Sequence, residues 1–299
     1  MPFSEDQLVT WSHQGAVTNS ASTYNSIKTC LDGINWNSDV SHDVYLQGSY
    51  RNTTNIRGNS DVDVVVEFQS VFYSNMSDLP PDKFREWNGH YIDSKYNLSS
   101  FKTAVVNGLK AYYGENAVTV GKRSIKITGD SGRLDADLIC CAEYREYNDF
   151  SISNPIDYSK GIVFWETGTY KKVVNFPKLH FDNGVTKNRD TDGNYKPIIR
   201  IFKNMVSKLI AADELSKSST PSYLIECLLY NIPDYSFKGG YSDMVFSILN
   251  TLNNMSDADL KKYVCQNYQR FLFGDTDQQW NITNCRLFIA KAIEYWNEE

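Results

Sequence analysis

Gly48-Ser49-Tyr50-Arg51-Asn52-Thr53-Thr54-Asn55-Ile56-Arg57-Gly58-Asn59-Ser60-Asp61-Val62-Asp63-Val64-Val65-Val66 is the stretch on which the reading of this 299-residue chain turns. It begins with a Gly-Ser turn after the apolar run Val44-Tyr45-Leu46 and ends with two aspartates at the head of a β-branched run. Successive side chains of a strand point to opposite faces, so Asp61 and Asp63 share one face about 7 Å apart, while Val62, Val64 and Val66 turn towards a core. Two carboxylates side by side repel each other. A fold tolerates them when a cation sits between, and hard oxygen ligands suit Mg²⁺, which is held by one or two carboxylates plus substrate phosphates. The Gly-Ser turn just upstream offers backbone N–H groups and a hydroxyl to a phosphate. An Asp-x-Asp alone is common at solvated strand edges and says little. Here it closes a compound pattern: Gly-Ser, a polar connection with Thr, Gly and Ser, then the aspartates opening a strand.

Composition narrows the class. A chain of 299 residues, 41% hydrophobic, is long enough for one large domain or two lobes with a real core. A net charge of −6 argues against a general nucleic-acid binder, which needs a basic face to displace counterions. Six cysteines (Cys30, Cys140, Cys141, Cys227, Cys265, Cys285) sit in apolar contexts with no CxxC pair, which reads as buried free thiols in a reducing cytoplasm rather than a zinc site. The opening Met1-Pro2-Phe3-Ser4-Glu5-Asp6 has neither a positive nor an apolar signal region, and no run of about 18 apolar residues occurs. No signal peptide and no membrane span are expected.

Taken in order, residues 4–33 read as a helix with Ser4 as N-cap, a break near Gly15, and Gly33 at its end. Residues 43–48 and 61–68 are strands. Residues 74–97, with Pro80-Pro81, read as loop. Leu98, Phe101, Val105, Leu109 and Tyr112 recur at helical spacing over 98–113. Alternation predicts a strand over 117–128, a turn at Gly129-Asp130-Ser131-Gly132, and a strand over 133–142 that pairs back. After about residue 160 the texture becomes helical. Tyr195-Lys196-Pro197 leads a helix with Ile198, Ile201, Phe202, Met205, Val206 and Leu209 on one face and Lys203 beside that stripe. Thr220 is the expected cap of the next helix, with Pro221 in its first turn and Ser222 second, a natural anion position. Helices over 241–254, 256–270 and 281–297 complete the chain.

The returning strand holds Asp135 and Asp137, which share a face. Either could meet Asp61 and Asp63 across neighbouring strands, and spacing alone leaves both open. His180 reads as structural, and His13, His42 and His90 show no partner spacing. No Ser/His/Asp or Cys/His arrangement supports covalent catalysis.

Gly48-Ser49 through Ser60-Asp61-Val62-Asp63-Val64-Val65-Val66 resembles the signature of the DNA polymerase β-like nucleotidyltransferase superfamily. Ala136-Asp137-Leu138-Ile139, Asn175-Phe176-Pro177-Lys178-Leu179-His180, Arg200-Ile201-Phe202-Lys203 and Ser222-Tyr223-Leu224-Ile225-Glu226-Cys227 make it similar to the cGAS/DncV-like members (CD-NTases), which make cyclic oligonucleotide second messengers in bacterial antiphage defence. The resemblance covers about residues 43–290. It implies an α+β fold: a mixed-sheet palm lobe over 1–160 packed on a mostly α-helical lobe over 161–299 that completes the nucleotide cleft, with the N-terminal helix spanning both.

It also implies a site. Gly48 and Ser49 would cradle the donor triphosphate. Asp61 and Asp63 would bind two Mg²⁺ ions, with Mn²⁺ as a substitute, and Asp137 would complete the set. Lys203 and Ser222 would hold the tail phosphates, and Asn175 lies where some members read the base. The residues after Asp137, Cys140 and Cys141, stand where members often have Pro, a departure that does not touch the metals. The implied function is condensation of NTPs into a cyclic di- or oligonucleotide in the cytoplasm, with a regulatory protein partner and a downstream effector, and with no membrane and no long nucleic acid involved. The alternatives are a transferase that modifies RNA or protein, and a silent nucleotide-binding protein; the full set of three carboxylates argues against the latter.

Overall fold

The computed structural model describes residues 3–15, 17–56, 61–94, 96–276 and 278–298. Arg57-Gly58-Asn59-Ser60, the part of the opening motif just before Asp61, lies outside the described residues. Two helices come first, α1 (Glu5–Ser12) and α2 (Thr18–Asp32). Strand β1 (His42–Leu46) runs into the short helix α3 (Gly48–Asn52), then β2 (Val62–Asn75). Helices α4 (Pro81–His90) and α5 (Leu98–Tyr113) follow, then β3 (Val118–Val120), β4 (Ile125–Ile127), β5 (Ala136–Tyr147), β6 (Tyr158–Trp165) and β7 (Lys172–Asn175). The remainder is helical: α6 (Pro177–Asp190), α7 (Tyr195–Ala211), α8 (Ser222–Tyr230), α9 (Tyr241–Asn254), α10 (Asp257–Leu260) and α11 (Ile282–Glu298). None of the described helices is long and apolar enough to cross a membrane. All six cysteines are buried free thiols.

The chain divides into two compact units. The sheet unit comprises Ala16–Arg51 and Asp61–Lys178. Its mixed sheet has the order β1-β2-β5-β4-β3, with β6 pairing β5 and β7 pairing β6, and so continues past residue 160. β2 and β5 run parallel, and the other pairs are antiparallel. The alternation read from the sequence is what orders it. Val62, Val64, Val66 and Phe68 from β2, with Leu138 and Cys140 from β5, turn to the face covered by α5, where the Phe68 ring stacks on Phe101 at 4.7 Å.

The helical unit comprises Met1–Gly15, Asn52–Ser60 and Leu179–Glu299. Its core is the predicted stripe of α7 against Leu224 and Leu228 of α8, Ile248 of α9 and Phe288 of α11. Helix α1 belongs here. Ser4 caps it by accepting from the Gln7 N–H, and Glu5 accepts from the Tyr241 and Ser242 N–H groups that open α9, at 2.6 and 2.9 Å.

Five local expectations need correction, the first being the helical texture after about residue 160, where β6 and β7 instead extend the sheet through backbone pairing with β5. Residues 81–90 form helix α4 and not loop, because Pro81 sits at the first helical position, where its fixed φ and missing N–H cost nothing. The strand expected over 117–128 is two short strands, folded into a hairpin where the Gly121 N–H donates to Ser124 O at 2.8 Å. The helix expected over 256–270 is only α10; beyond it, Cys265 N–H bonds Arg270 O, and Val264 bridges Phe271. Pro221, not Thr220, is the cap residue of α8, so Ser222 is its first helical residue.

Candidate active site

In the sheet unit, parallel pairing puts Asp63 of β2 directly beside Asp137 of β5. Neighbouring strands are about 4.8 Å apart, so two carboxylates of the same parity stand side by side on one face. Asp61 precedes β2 by one residue, is half exposed, and has Lys126 Nζ at 4.0 Å. Lys126 of β4 stands in backbone register with Asp137 of β5. Asp135, left open by spacing, is engaged elsewhere: its Oδ1 accepts from the Gly129 N–H at 2.7 Å and so ties down the turn before β5. Asp137 Oδ1 accepts from the Ser124 hydroxyl at 3.0 Å, an orienting partner that no sequence pattern flagged.

Gly48 joins this group. Its φ is +63°, the left-handed region that glycine enters without strain. A Cβ built on it would lie 2.1 Å from Asp63 Oδ2. The Gly-Ser turn and the second aspartate are therefore in contact, and the missing side chain is what admits the carboxylate. Ser49 follows, half-buried in α3. Gly48→Ala meets both the clash and the backbone strain. We expect it to displace Asp63 or the turn and to lower activity about a hundredfold, since about 1 Å of misplacement in a site costs that much. Steady-state rates of Gly48→Ala against wild type check this.

Further along the same face, Glu67 is fully buried, with the Tyr45 hydroxyl at 2.8 Å, Lys160 at 3.4 Å and Lys178 at 3.5 Å as its polar partners.

The fit of a divalent ion rests on the donor set. Asp61, Asp63 and Asp137 supply only hard oxygen donors, which suits Mg²⁺. Among the described residues, no three acidic, His or Cys side chains converge into a ready-made cage. The open pair Asp63–Asp137 is the kind of partial site that Mg²⁺ completes with substrate phosphates, rather than a closed all-protein one.

In the helical unit, Lys203 is buried, 5% exposed, and belongs to the core face of α7, not beside it as the spacing suggested. Its ammonium donates to Glu226 Oε1 at 2.6 Å, to Thr54 Oγ1 at 3.1 Å and to Thr54 O at 3.2 Å, which occupies its three protons. Glu226 also accepts from Thr54 Oγ1 at 2.7 Å and Asn52 Nδ2 at 3.1 Å, and lies 2.8 Å from His180 Nε2. His180 is thus the structural residue the sequence suggested. Burial alone would push the Glu226 carboxyl up, but Lys203 and His180 outweigh it and hold it well below the usual carboxylate range. Ser222 is exposed at the start of α8. Asn175 is exposed at the end of β7 in the sheet unit.

These features have counterparts in known proteins. Residues 182–297 match the family model described as the cGAS/DncV-like nucleotidyltransferase C-terminal helical domain. The chain is 41% identical over 296 residues to a cyclic UMP-AMP synthase of Rhodothermus marinus, covering 99% of this chain and 98% of that one. It is 41% identical over 258 residues to the cyclic nucleotide synthase CdnE01 of Staphylococcus haemolyticus, covering 86% and 85%. Among solved structures, the Rhodothermus marinus CdnE c-UMP-AMP synthase with Apcpp and Upnpp is similar with a TM-score of 0.89 and 40% identity, over 99% of this chain and 97% of that one. Likeness at this level over nearly the full length means that the chain belongs to the cGAS/DncV-like nucleotidyltransferases.

Proposed function

We propose that this nucleotidyltransferase condenses two nucleoside triphosphates into a cyclic dinucleotide, with Asp61, Asp63 and Asp137 as its metal-binding carboxylates. The side-by-side register of Asp63 and Asp137 beside Gly48 carries the reading. The Rhodothermus marinus relative is named for UMP and AMP, so UTP and ATP are the first pair to test.

Phosphoryl transfer asks little covalent chemistry of a protein; it needs alignment and charge neutralisation. A bound pair of Mg²⁺ ions supplies Lewis acidity at the attacking and leaving oxygens. The chain's own part is to hold and aim. Asp63 and Asp137 are fixed by strand pairing, and Asp137 is oriented by the Ser124 hydroxyl. Gly48 and Ser49 bind the donor phosphates. Ser222 and Lys203 take the tail phosphates, and Lys203 does so by exchanging Thr54 for a phosphate oxygen while Glu226 keeps its charge in place. Asn175 contacts the base. The cytoplasm, where NTPs are made, is the compartment of the reaction. A downstream effector reads the product as an antiphage signal, and a protein partner gates the synthase.

The test is direct. Incubated with UTP, ATP and Mg²⁺, the enzyme is expected to give a phosphatase-resistant product whose mass equals that of the two nucleoside triphosphates less two pyrophosphates. Label found only on RNA or protein would replace this reading with transfer to a macromolecule. ATP binding without any turnover, in the presence of every partner and metal tried, would leave a silent nucleotide binder.

A further inference from the structure

The sheet unit holds a cavity of about 740 Å³, within the size range of small-molecule sites. Its floor includes Cys140, three residues after Asp137 on β5 and therefore on the opposite face of the sheet. Helix α5 forms one wall through Lys102 and Val106, and the end of β6 with the turn that follows forms the other. The cavity is separate from the face that carries the aspartates.

Its chemistry is specific. Tyr73 and Trp165 meet edge to face at 4.8 Å and present an aromatic wall. Tyr170 stands at the rim, 81% exposed, on a backbone with φ of +54°. A bulky residue in the left-handed region is a real outlier, and a large ring left in water gains nothing from burial. The exposed ring at the rim is accessible to a ligand.

The charges are equally uneven. Glu166 is buried, and its carboxylate is held by the Thr169 hydroxyl at 2.7 Å, by Arg123 at 2.7 Å and by Lys122 at 3.0 Å. The wall's one acid is thus more than neutralised by its own cations. Lys102 is the only cation among the described lining residues, and its ammonium donates to a neutral group, the Thr167 hydroxyl, at 2.9 Å. This cluster sets three cations against one carboxylate and so favours an anion.

We propose that this cavity is a second small-molecule site, for a flat aromatic monoanion whose ring lies against Tyr73, Trp165 and Tyr170 and whose charge sits on Lys102. Aromatic walls with a few placed polar groups are how such pockets select ligands.

The probe is 8-anilinonaphthalene-1-sulfonate, an aromatic monoanion that fluoresces when it leaves water. It is titrated into the full chain in the presence of saturating non-hydrolysable ATP analogue and Mg²⁺, which keep it out of the catalytic site. Saturable binding near one per chain is expected. Lys102→Met, which keeps the stem and removes the charge, is expected to weaken it about tenfold. Val106→Trp, which fills the cavity from a half-buried position, is expected to abolish it. Both variants are expected to keep wild-type melting temperature and wild-type nucleotide joining. The proposal fails if wild type shows no saturable binding, if the ATP analogue displaces the probe, or if Lys102→Met binds it as tightly as wild type. Because Lys102 is not part of the core, that last comparison stands even if Val106→Trp folds poorly.

Discussion

Asp63→Asn is expected to lower nucleotide joining about a thousandfold or more, because a pair of ions held by carboxylates supplies several kcal/mol of transition-state charge stabilisation and each 1.4 kcal/mol is tenfold in rate. The amide has the same shape, so the contact with Gly48 survives and only the charge is lost. Stability should respond in the other direction. Asp63 and Asp137 stand beside each other on paired strands, and removing one of two like charges relieves repulsion. The melting temperature of Asp63→Asn should therefore equal or exceed that of wild type while activity disappears. A folded variant with near-wild-type turnover would remove Asp63 from the metal set. A loss of activity that tracks a loss of folded protein would say only that the strand had been broken.

The second large effect lies in the helical unit and is one of stability. Glu226→Gln leaves Lys203 buried and uncompensated, and breaking a buried pair in this way costs about 3–5 kcal/mol. That is a large part of a typical stability of about 5–15 kcal/mol. The same residue sets an acid limit. Its carboxyl is held below the unfolded value of about 4.3, so its stabilisation is fully present above that pH and is lost as pH falls towards the folded value. Wild type should lose melting temperature below about pH 4.3, and Glu226→Gln should lose less over the same interval because it has no such group to protonate. Calorimetry across pH 3–7 on both proteins measures this.

Strands β1, β2 and β5 and most helices could be read from the chain because each rests on a local rule, whereas β6 and β7 fell in a stretch whose texture reads as helical. The β-branched run Val62 to Val66 marked β2, although both of its faces are buried from Val64 to Phe68, and the spacing of Leu98, Phe101, Val105 and Leu109 marked α5 to the residue. What escaped the sequence depended on partners far away in the chain. Whether Asp135 or Asp137 stands beside Asp63 is a question of register, and register is set by the whole strand pair. Ser124 meets Asp137 only because β4 pairs with β5. Lys203 looked solvated from its place on a helical wheel, yet Glu226 lies 23 positions on and pulls it into the core. Prolines 80 and 81 read as a loop signal, where Pro81 in fact starts a helix. Charged residues inside a core give no periodic signal, so their burial appears only once their partners are placed.

Counting bound Mn²⁺ shows whether Asp63 and Asp137 hold metal. Mn²⁺ replaces Mg²⁺ and is read by electron paramagnetic resonance in the presence of a non-hydrolysable triphosphate, without any need for turnover. Wild type is expected to hold about two ions per chain. Changing both Asp63 and Asp137 to Asn is expected to remove the protein-held ions, leaving only the ion carried by the nucleotide. An unchanged ion count in that double variant would contradict the metal assignment.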